Sequence, residues 1–229
     1  MKIIGAVTIG QSPRPDITSE LTMLLGPEVR VIESGALDGF TKAEVADIVP
    51  RTTGPLLVTR LRDGSEIKIG EDFLIPHLKK CVERLQDKVE LILMLCTESL
   101  PDFGSARPVV YPGSLLFNIV RALGMQRIGV LTPGHEQLRH QQSRWSKVVA
   151  KVVVEAASPY GPPELLQAAA QSLGRNDIDL VVMDCLGYTQ SMKKSVRACV
   201  SQPVLLARSV LGRIAAELVE GDIPNFHST

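Results

Sequence analysis

The sequence has 229 residues, and its 25 basic and 25 acidic residues give a formal net charge of zero. Hydrophobic residues make up 45% and aromatic residues only 4%, which is typical of a globular protein and disfavours a nucleic-acid partner, because that needs basic clusters and stacking aromatics. No apolar run reaches the roughly 18 residues that span a membrane, and the apolar start is too short for a secretion signal, so we expect a cytoplasmic protein without a membrane partner.

Strands and helices are predicted to alternate along the chain. Residues 2–9 form an apolar run typical of a buried parallel strand, and the proline-rich loop 10–16 follows. A capping box from Thr41 to Glu44 begins a helix that ends near residue 49. Asp63-Gly64 predicts a hairpin, which we interpret as an insertion at a sheet edge and as a possible oligomer contact.

The remaining predicted elements follow the same alternation, which implies parallel sheets with helices on both faces. The other predicted strands are at residues 29–33, 89–96, 108–110, 127–132, 148–154, 178–185 and 203–206. The other predicted helices are at residues 16–25, 71–87, 114–123, 134–145, 164–173, 189–199 and 208–220.

Two pairs of matching segments indicate that the chain is built twice. Residues 4–10 (IGAVTIG) match residues 128–134 (IGVLTPG), and residues 89–96 (VELILMLC) match residues 178–185 (IDLVVMDC). We therefore predict an α/β fold of two similar Rossmann-like domains whose parallel sheets face a shared cleft. The first domain would span residues 1–111, the second residues 112–207, and a C-terminal helix of residues 208–229 would pack back on the first.

The repeated strand ends carry the residues of chemical interest. In parallel sheets a ligand lies beyond the carboxyl ends of the strands, where Thr8, Cys96, Thr132 and Cys185 are all expected. Two thiols on opposite sides of a small molecule can remove a proton from one face of a carbon and return it on the other, without a metal or cofactor. Simple packing is the alternative, because cysteine is among the most buried residue types.

The surroundings of the two cysteines are expected to differ. A helix that begins shortly after Cys185 is expected to lower the pKa of that thiol, whereas the charge of Glu98 opposes a thiolate at Cys96. Cys81 and Cys199 fall on apolar helix faces and are predicted to be core residues. No CxxC motif occurs, and the histidines have no metal-ligand spacing, so no metal site is predicted.

Residues near these strand ends are predicted to bind the substrate's oxygens. Arg14 is placed to hold a carboxylate bidentately, and Thr132 precedes a helix whose N–H groups favour an anion. A surface arginine and a local helix cap are the structural alternatives. The predicted binding residues are Thr8, Ser12, Arg14, Thr97, Thr132, Gly187, Tyr188 and Thr189, and Tyr160 in the SPYGPP loop is a weaker candidate.

Several motifs resemble a known superfamily. LMLCTES, MDCLGYT and IGVLTP resemble the aspartate/glutamate/hydantoin racemase superfamily, and TIGQSPRPD and VVMDCLGYTQ are similar to the AroM family. The resemblance implies two α/β domains, an interdomain cleft, cofactor-independent catalysis, catalytic cysteines at Cys96 and Cys185, and a homodimer. The chain departs from the racemases after both cysteines, where it has Thr97-Glu98 and Leu186-Gly187-Tyr188, and these departures argue against a free amino acid as substrate.

The sequence thus predicts a cofactor-independent isomerase or racemase-like enzyme that acts at the carbon next to a carboxylate of a small acid. Cys96 and Cys185 would be its acid–base pair. Two alternatives stay open. One is a small-anion or carboxylate-binding protein that performs no reaction, and the other is a decarboxylase that needs only Cys185.

Overall fold

A computed structural model describes residues 1–219, and residues 220–229 of the predicted C-terminal helix lie outside this range. The strands are β1 (Lys2–Thr8), β2 (Val29–Gly35), β3 (Leu56–Arg60), β4 (Glu66–Gly70), β5 (Leu91–Met94), β6 (Val109–Val110), β7 (Arg127–Thr132), β8 (Lys151–Ala156), β9 (Leu180–Met183) and β10 (Val204–Leu206). The helices are α1 (Pro15–Leu25), α2 (Lys42–Ile48), α3 (Glu71–Leu85), α4 (Pro112–Ala122), α5 (Leu138–Trp145), α6 (Pro163–Gly174), α7 (Gln190–Arg197) and α8 (Ala207–Val219). Among these helices none is long and apolar enough to cross a membrane.

The strands form two four-stranded parallel sheets with the same internal order. The strand order of the first sheet is β2-β1-β5-β6. The strand order of the second sheet, read from the strand equivalent to β2, is β8-β7-β9-β10. The matching sequence segments lie on equivalent strands, since β1 corresponds to β7 and β5 to β9. The predicted α/β fold with two parallel sheets is confirmed, whereas the division at residue 111 stays a prediction.

The alternation of side chains along the central strands divides the core. Alternate residues of a strand point to opposite faces, so each sheet contributes one face to a core that both sheets share. In this shared core the side chains come from both sheets and from α1, α4 and α8, and α8 packs against α1 and α4. From β5 and the residue after it, Leu91, Leu93 and Leu95 enter the shared core, while Ile92, Met94 and Cys96 face a separate cluster in the first half.

The hairpin β3-β4 is a separate antiparallel sheet, which corrects the prediction of an insertion at a sheet edge. It is held against the loop after β1, where the Gln11 backbone N–H donates to the Arg60 carbonyl at 3.2 Å. A Cβ atom at Gly10 would lie 2.3 Å from that carbonyl oxygen, so the close approach of the hairpin requires glycine there.

The other side of the hairpin contacts the second half of the molecule through polar groups. We call these contacts the hairpin clasp: Gln137 Nε2 to the Leu56 carbonyl (2.9 Å), Ser158 Oγ to Glu66 Oε2 (2.8 Å) and Lys68 Nζ to Glu136 Oε1 (2.8 Å). The hairpin therefore bridges the two halves and forms one wall of the cleft between them.

Candidate functional site

A small cavity lies between the two halves, beyond the carboxyl ends of the central strands. Its volume is about 40 Å³, room for one or two water molecules, so a larger ligand needs the walls to move. Cys96 from the first half and Cys185 from the second both line it. Its other lining residues are Ile9, Arg14, Ile17, Leu57, Val58, Thr59, Leu95, Thr97, Glu98, Pro133, Gln137, Gln141, Tyr160, Asp184, Leu186 and Gly187.

The two cysteine-bearing turns contact each other directly. The Thr97 hydroxyl, next to Cys96, donates to the Asp184 carbonyl, next to Cys185, at 3.1 Å. The Arg144 Nη2 group from α5 donates to the Thr97 carbonyl at 2.7 Å. These buried hydrogen bonds between the halves fix both thiols at the same cavity.

The turn at Cys185 is built from backbone groups. The Gly187 N–H donates to the Cys185 sulfur at 3.3 Å. The Arg208 guanidinium, 1% exposed, donates to the Leu186 carbonyl at 2.9 and 2.6 Å and to the Gly187 carbonyl at 3.1 Å. A Cβ atom at Gly187 would lie 2.6 Å from Pro159 Cγ and 2.9 Å from the Tyr160 hydroxyl, so a larger residue there would displace the loop that carries both residues.

The acidity of Cys185 differs from the expectation drawn from the sequence. Burial raises its pKa to about 11, against the lowering effects of the Gly187 N–H and of the Arg14 and Arg208 charges. The following helix α7 begins only at Gln190, and its N-terminus does not offset burial. Cys185 is therefore a thiol at neutral pH in this conformation.

Cys96 is less acidic still. It is 9% exposed, and burial raises its pKa well above the ordinary value. The Glu98 N–H lowers the pKa of Cys96, but the Glu98 carboxylate and Cys185 raise it. The first cysteine is thus strongly held in its protonated form.

Glu98 is a carboxylate at the cavity wall, and its burial is not predictable from the sequence. It is 6% exposed, with Oε1 3.1 Å from His140 Nε2 and 3.6 Å from Arg144 Nε. Burial raises its pKa, but the Arg144 charge, the Ser99 N–H and His140 together lower the pKa overall. Glu98 is therefore ionised at neutral pH.

Arg14 lines the cavity, but a carboxylate of the chain already occupies its bidentate face. Its Nε and Nη2 donate to the two Asp16 oxygens at 2.9 and 2.8 Å. Its Nη1 lies 3.3 Å from the hydroxyls of Thr8 and Thr59, and its Nη2 also donates to the Tyr160 hydroxyl at 2.9 Å. The Arg14 guanidinium that faces a ligand is therefore already held in place by hydrogen bonds to other side chains.

Of the predicted binding residues, Arg14, Thr97 and Gly187 line the cavity, and the others do not. Their side chains have partners elsewhere: Thr8 accepts from the Gly10 N–H (3.3 Å), Ser12 donates to Asp38 (2.7 Å), Thr132 donates to Gln137 (3.0 Å), Tyr188 donates to the Ala157 carbonyl (2.6 Å) and Thr189 accepts from the Met192 N–H (3.2 Å) as the cap of α7.

The residues that sequence reasoning missed form one buried polar face at the start of the second half. Gln137, Gln141 and Arg144 are 7%, 3% and 5% exposed, and they lie on or just before α5 at the spacing i, i+4, i+7 that places side chains on one helical face. That spacing was a signal in the sequence, but polar residues at this spacing are ordinarily solvent-exposed. Within residues 1–219, no group of three or more His, Cys, Asp and Glu side chains is arranged to hold a metal ion.

Comparison with known proteins places the chain in a family. The AroM protein family matches residues 4–219, and the curated proteins gave no match. Among solved structures, unliganded arylmalonate decarboxylase has a TM-score of 0.65 at 14% identity, covering 97% of this chain and 94% of that chain. The maleate isomerase Iso from Pseudomonas putida S16 has a TM-score of 0.61 at 15% identity, covering 92% and 90%. Picrophilus torridus aspartate racemase has a TM-score of 0.57 at 10% identity, covering 95% and 94%.

At these identities the solved structures show a shared fold. The family match spans nearly the whole chain. The cavity of this chain lies where the two repeated halves meet. The chain belongs to the AroM family and has the two-sheet fold of the Asp/Glu racemase-like proteins.

Proposed function

We propose that this protein is a cofactor-independent enzyme, isomerase- or racemase-like, that transfers a proton at the carbon next to the carboxylate of a small acid. The observation that carries the proposal is the convergence of Cys96 and Cys185, from equivalent strand ends, on one cavity. The similar structures support the general class, since they are named as an isomerase, a decarboxylase and a racemase.

The different acidities of the two thiols assign their roles. Cys185, with a pKa raised to about 11, ionises before Cys96 and so acts as the base. The Cys185 thiolate takes the proton of the substrate's C–H bond, and the electron pair moves onto the carboxylate oxygens. The Cys96 thiol then gives its proton to the opposite face of the carbon, and the electron pair returns to form the new C–H bond.

The substrate's oxygens would be bound by the predicted residues that line the cavity. Arg14 supplies a fixed positive charge and Gly187 allows the chain to approach closely, whereas the Thr97 hydroxyl already donates its hydrogen to the Asp184 carbonyl and can only accept a hydrogen bond from a ligand. A small acid is the substrate class that such a cavity favours, because a small ligand needs the least movement of its walls.

A single-cysteine decarboxylase is the second candidate, and the environment of Cys96 favours it. The raised pKa of Cys96 and the charge of Glu98 beside it leave only Cys185 available for ionisation. In that reaction the bond to a carboxylate breaks, carbon dioxide leaves, and the Cys185 thiol donates its proton to the carbanion.

Exchange in heavy water distinguishes these reactions. The protein is incubated in D₂O with a panel of small amino, hydroxy and dicarboxylic acids, and deuterium at the carbon next to the carboxylate is measured by NMR together with carbon dioxide release. Deuterium without carbon dioxide indicates proton transfer, and carbon dioxide release indicates decarboxylation. A shift in melting temperature with neither product would show a binding protein and would refute the proposal.

Substitution of each cysteine tests the roles. Cys185→Ala is expected to lower either activity by at least about a thousandfold, because it removes the reacting group. Cys96→Ala is expected to do so only for two-thiol proton transfer. Cys199→Ala, at a partly buried cysteine away from the cavity, is the control. The rate of proton transfer should rise with pH toward about pH 11, as Cys185 ionises.

A further inference from the structure

Tyr160 reaches from the second half of the molecule into the cavity. It lies in the loop after β8, and its ring is covered by Arg60 of the hairpin, with the guanidinium carbon 4.0 Å from the ring centroid. Its hydroxyl accepts a hydrogen bond from Arg14 Nη2 at 2.9 Å. Two arginines from the first half therefore fix the position of the phenol at the cavity wall.

The O–H group of the Tyr160 phenol can donate one hydrogen bond that it does not make in the described structure. Arg14 donates to its oxygen, so the phenolic hydrogen remains to be donated, and the described part of the chain provides no hydrogen-bond acceptor for it. Burial, and next the charge of Cys185, raise the pKa of Tyr160 to about 12, so the phenol is protonated at neutral pH. A neutral donor is thus available at the wall of the cavity that Cys185 also lines.

We propose that Tyr160 is a catalytic residue whose phenolic O–H donates a hydrogen bond to a carboxylate oxygen of the bound acid. The inference rests on the function proposed above and adds a hydrogen-bond donor to the cysteine chemistry. Negative charge grows on the carboxylate oxygens when the neighbouring carbon loses its proton or its carbon dioxide. A fixed donor at such an oxygen stabilises the transition state more than the ground state.

The role of Arg14 follows from the same geometry. Asp16 occupies its bidentate face, so Arg14 acts on the ligand through the phenol, as a positioning residue. A hydrogen bond from a guanidinium to the phenol oxygen polarises the O–H group and makes it a stronger donor. The absence of a side chain at Gly187 is consistent with this position of the phenol, because a Cβ atom there would lie 2.6 Å from Pro159 Cγ and 2.9 Å from the Tyr160 hydroxyl.

Alkylation of Cys185 by two reagents tests the donor without a known substrate. Iodoacetate and iodoacetamide both form a C–S bond with the thiolate and release iodide, but only iodoacetate carries a carboxylate. The rate constants at Cys185 are measured by peptide mass spectrometry. Tyr160→Phe is expected to lower the iodoacetate-to-iodoacetamide rate ratio about tenfold, because it removes a hydrogen bond to a charged group and keeps the ring.

Tyr111→Phe is the matched control, since Tyr111 lies outside the cavity. The iodoacetamide rate reports any change in the acidity or access of Cys185, so that a merely structural effect moves both rates together. Gly187→Ala is a second variant, which is expected to lower the ratio by displacing the phenol. An unchanged iodoacetate-to-iodoacetamide rate ratio in Tyr160→Phe would overturn the inference. An increased ratio would also overturn it, because it would show that the phenol had kept Arg14 from the carboxylate.

The two proposals fail in distinguishable ways. An unchanged rate ratio in Tyr160→Phe, with deuterium exchange still dependent on Cys185, removes Tyr160 from the mechanism and leaves the proposed function intact. Exchange or decarboxylation that persists in Cys185→Ala refutes the proposed function itself. Once a substrate is found, Tyr160→Phe should lower kcat by about a hundredfold and change KM little, as expected for a donor that acts in the transition state.

Discussion

The two cysteine turns occupy equivalent places in the repeated fold but differ in the residues around the cysteine, which are Leu95, Thr97 and Glu98 in the first turn and Asp184, Leu186 and Gly187 in the second. In each, the N–H of the second residue after the cysteine interacts with the sulfur, and a buried arginine donates to a carbonyl of the turn. That second residue is Glu98 in the first turn and Gly187 in the second. Each turn therefore has one acidic side chain, Glu98 two residues after Cys96 and Asp184 directly before Cys185.

This difference shows how a duplicated fold separates two chemical roles. Burial raises the pKa of both thiols, and each thiol also has a carboxylate that raises its pKa, Glu98 for Cys96 and Asp184 for Cys185. The neighbouring arginines differ, because Arg144 lowers the pKa of Cys96 whereas Arg14 and Arg208 both lower that of Cys185. The repeat provides two thiols at one cavity, and Cys185, with two arginines near it, is the stronger acid of the pair.

Arg208→Met is expected to have the largest effect, because it removes the support of the second turn. Arg208 is 1% exposed, bonds to two carbonyls of that turn and lies 3.4 Å from Glu20. Its loss leaves these carbonyls buried without a donor, at an expected cost of about 3 kcal/mol in the free energy of unfolding. Urea denaturation followed by circular dichroism measures this cost.

Arg213→Met, at an exposed arginine of the same helix, is the control and should cost less than about 0.5 kcal/mol. If the two variants were equally stable, the buried hydrogen bonds of Arg208 would not be what holds the second turn. The Cys185 alkylation rate in Arg208→Met then reports whether the turn has loosened locally.

The positions of the two turns were predictable, whereas their surroundings were not. The alternation of strands and helices predicted the two parallel sheets, and the repeated segments predicted that Cys96 and Cys185 would lie at equivalent strand ends. Both inferences depend on local patterns, which the sequence shows directly. The burial of Arg144 depends on the other half of the molecule, because it becomes enclosed only where α5 faces the Cys96 turn.

Errors in the element boundaries have similar causes. The apolar pair at residues 148–149 resembles the start of a strand, and β8 was predicted at residues 148–154. In the structure both N–H groups bond to the Trp145 carbonyl at 2.9 and 3.2 Å, in the turn that ends α5, and the strand begins at Lys151. Threonines were likewise placed at the site because they end strands, but Thr8 and Thr132 are fully buried and bond to their own loops.

Glu98→Gln sharpens the comparison by making the first turn neutral. Without the charge of Glu98 the pKa of Cys96 should fall, so iodoacetamide should modify Cys96 faster relative to Cys185. The variant should also lose about 1–2 kcal/mol of stability at pH 7, because a hydrogen bond to a charged group becomes a neutral one. Glu90→Gln, at an exposed glutamate, is the control.

The pH dependence of this loss follows from the lowered pKa of Glu98. A carboxyl whose pKa is lower in the folded state contributes stability above its unfolded pKa of about 4.3, and that contribution disappears as the pH falls through the folded value. The wild-type protein and Glu98→Gln should therefore begin to converge in stability as the pH falls below about 4.3, and should do so fully only below the lowered pKa of Glu98. A difference that stayed constant from pH 7 to pH 3 would mean that the Glu98 charge contributes nothing.

The smallest expected effect concerns the hairpin clasp, which joins the second half to a hairpin that the second half does not itself repeat. Lys68 and Glu136 lie 2.8 Å apart with 45% and 28% of their side chains exposed, so the pair should contribute about 0.5 kcal/mol. A double-mutant cycle with Lys68→Ala and Glu136→Ala measures this coupling. The same cycle on Lys42 and Asp63, an exposed pair within the first half, is the control.

Small as it is, this coupling bears on access to both thiols. The cavity holds only one or two waters, so reagents reach Cys185 when a wall moves, and the hairpin is a wall held to the second half by polar contacts. A loss of about 0.5 kcal/mol corresponds to a roughly twofold larger open fraction. Lys68→Ala should therefore double the rate at which iodoacetamide modifies Cys185. High salt screens the Lys68–Glu136 attraction in the wild-type protein, so the difference in rate between the wild-type protein and the variant should vanish there. An unchanged rate at low salt would show that the reagent enters by another wall, and the loop that carries Tyr160 would then be the part that moves.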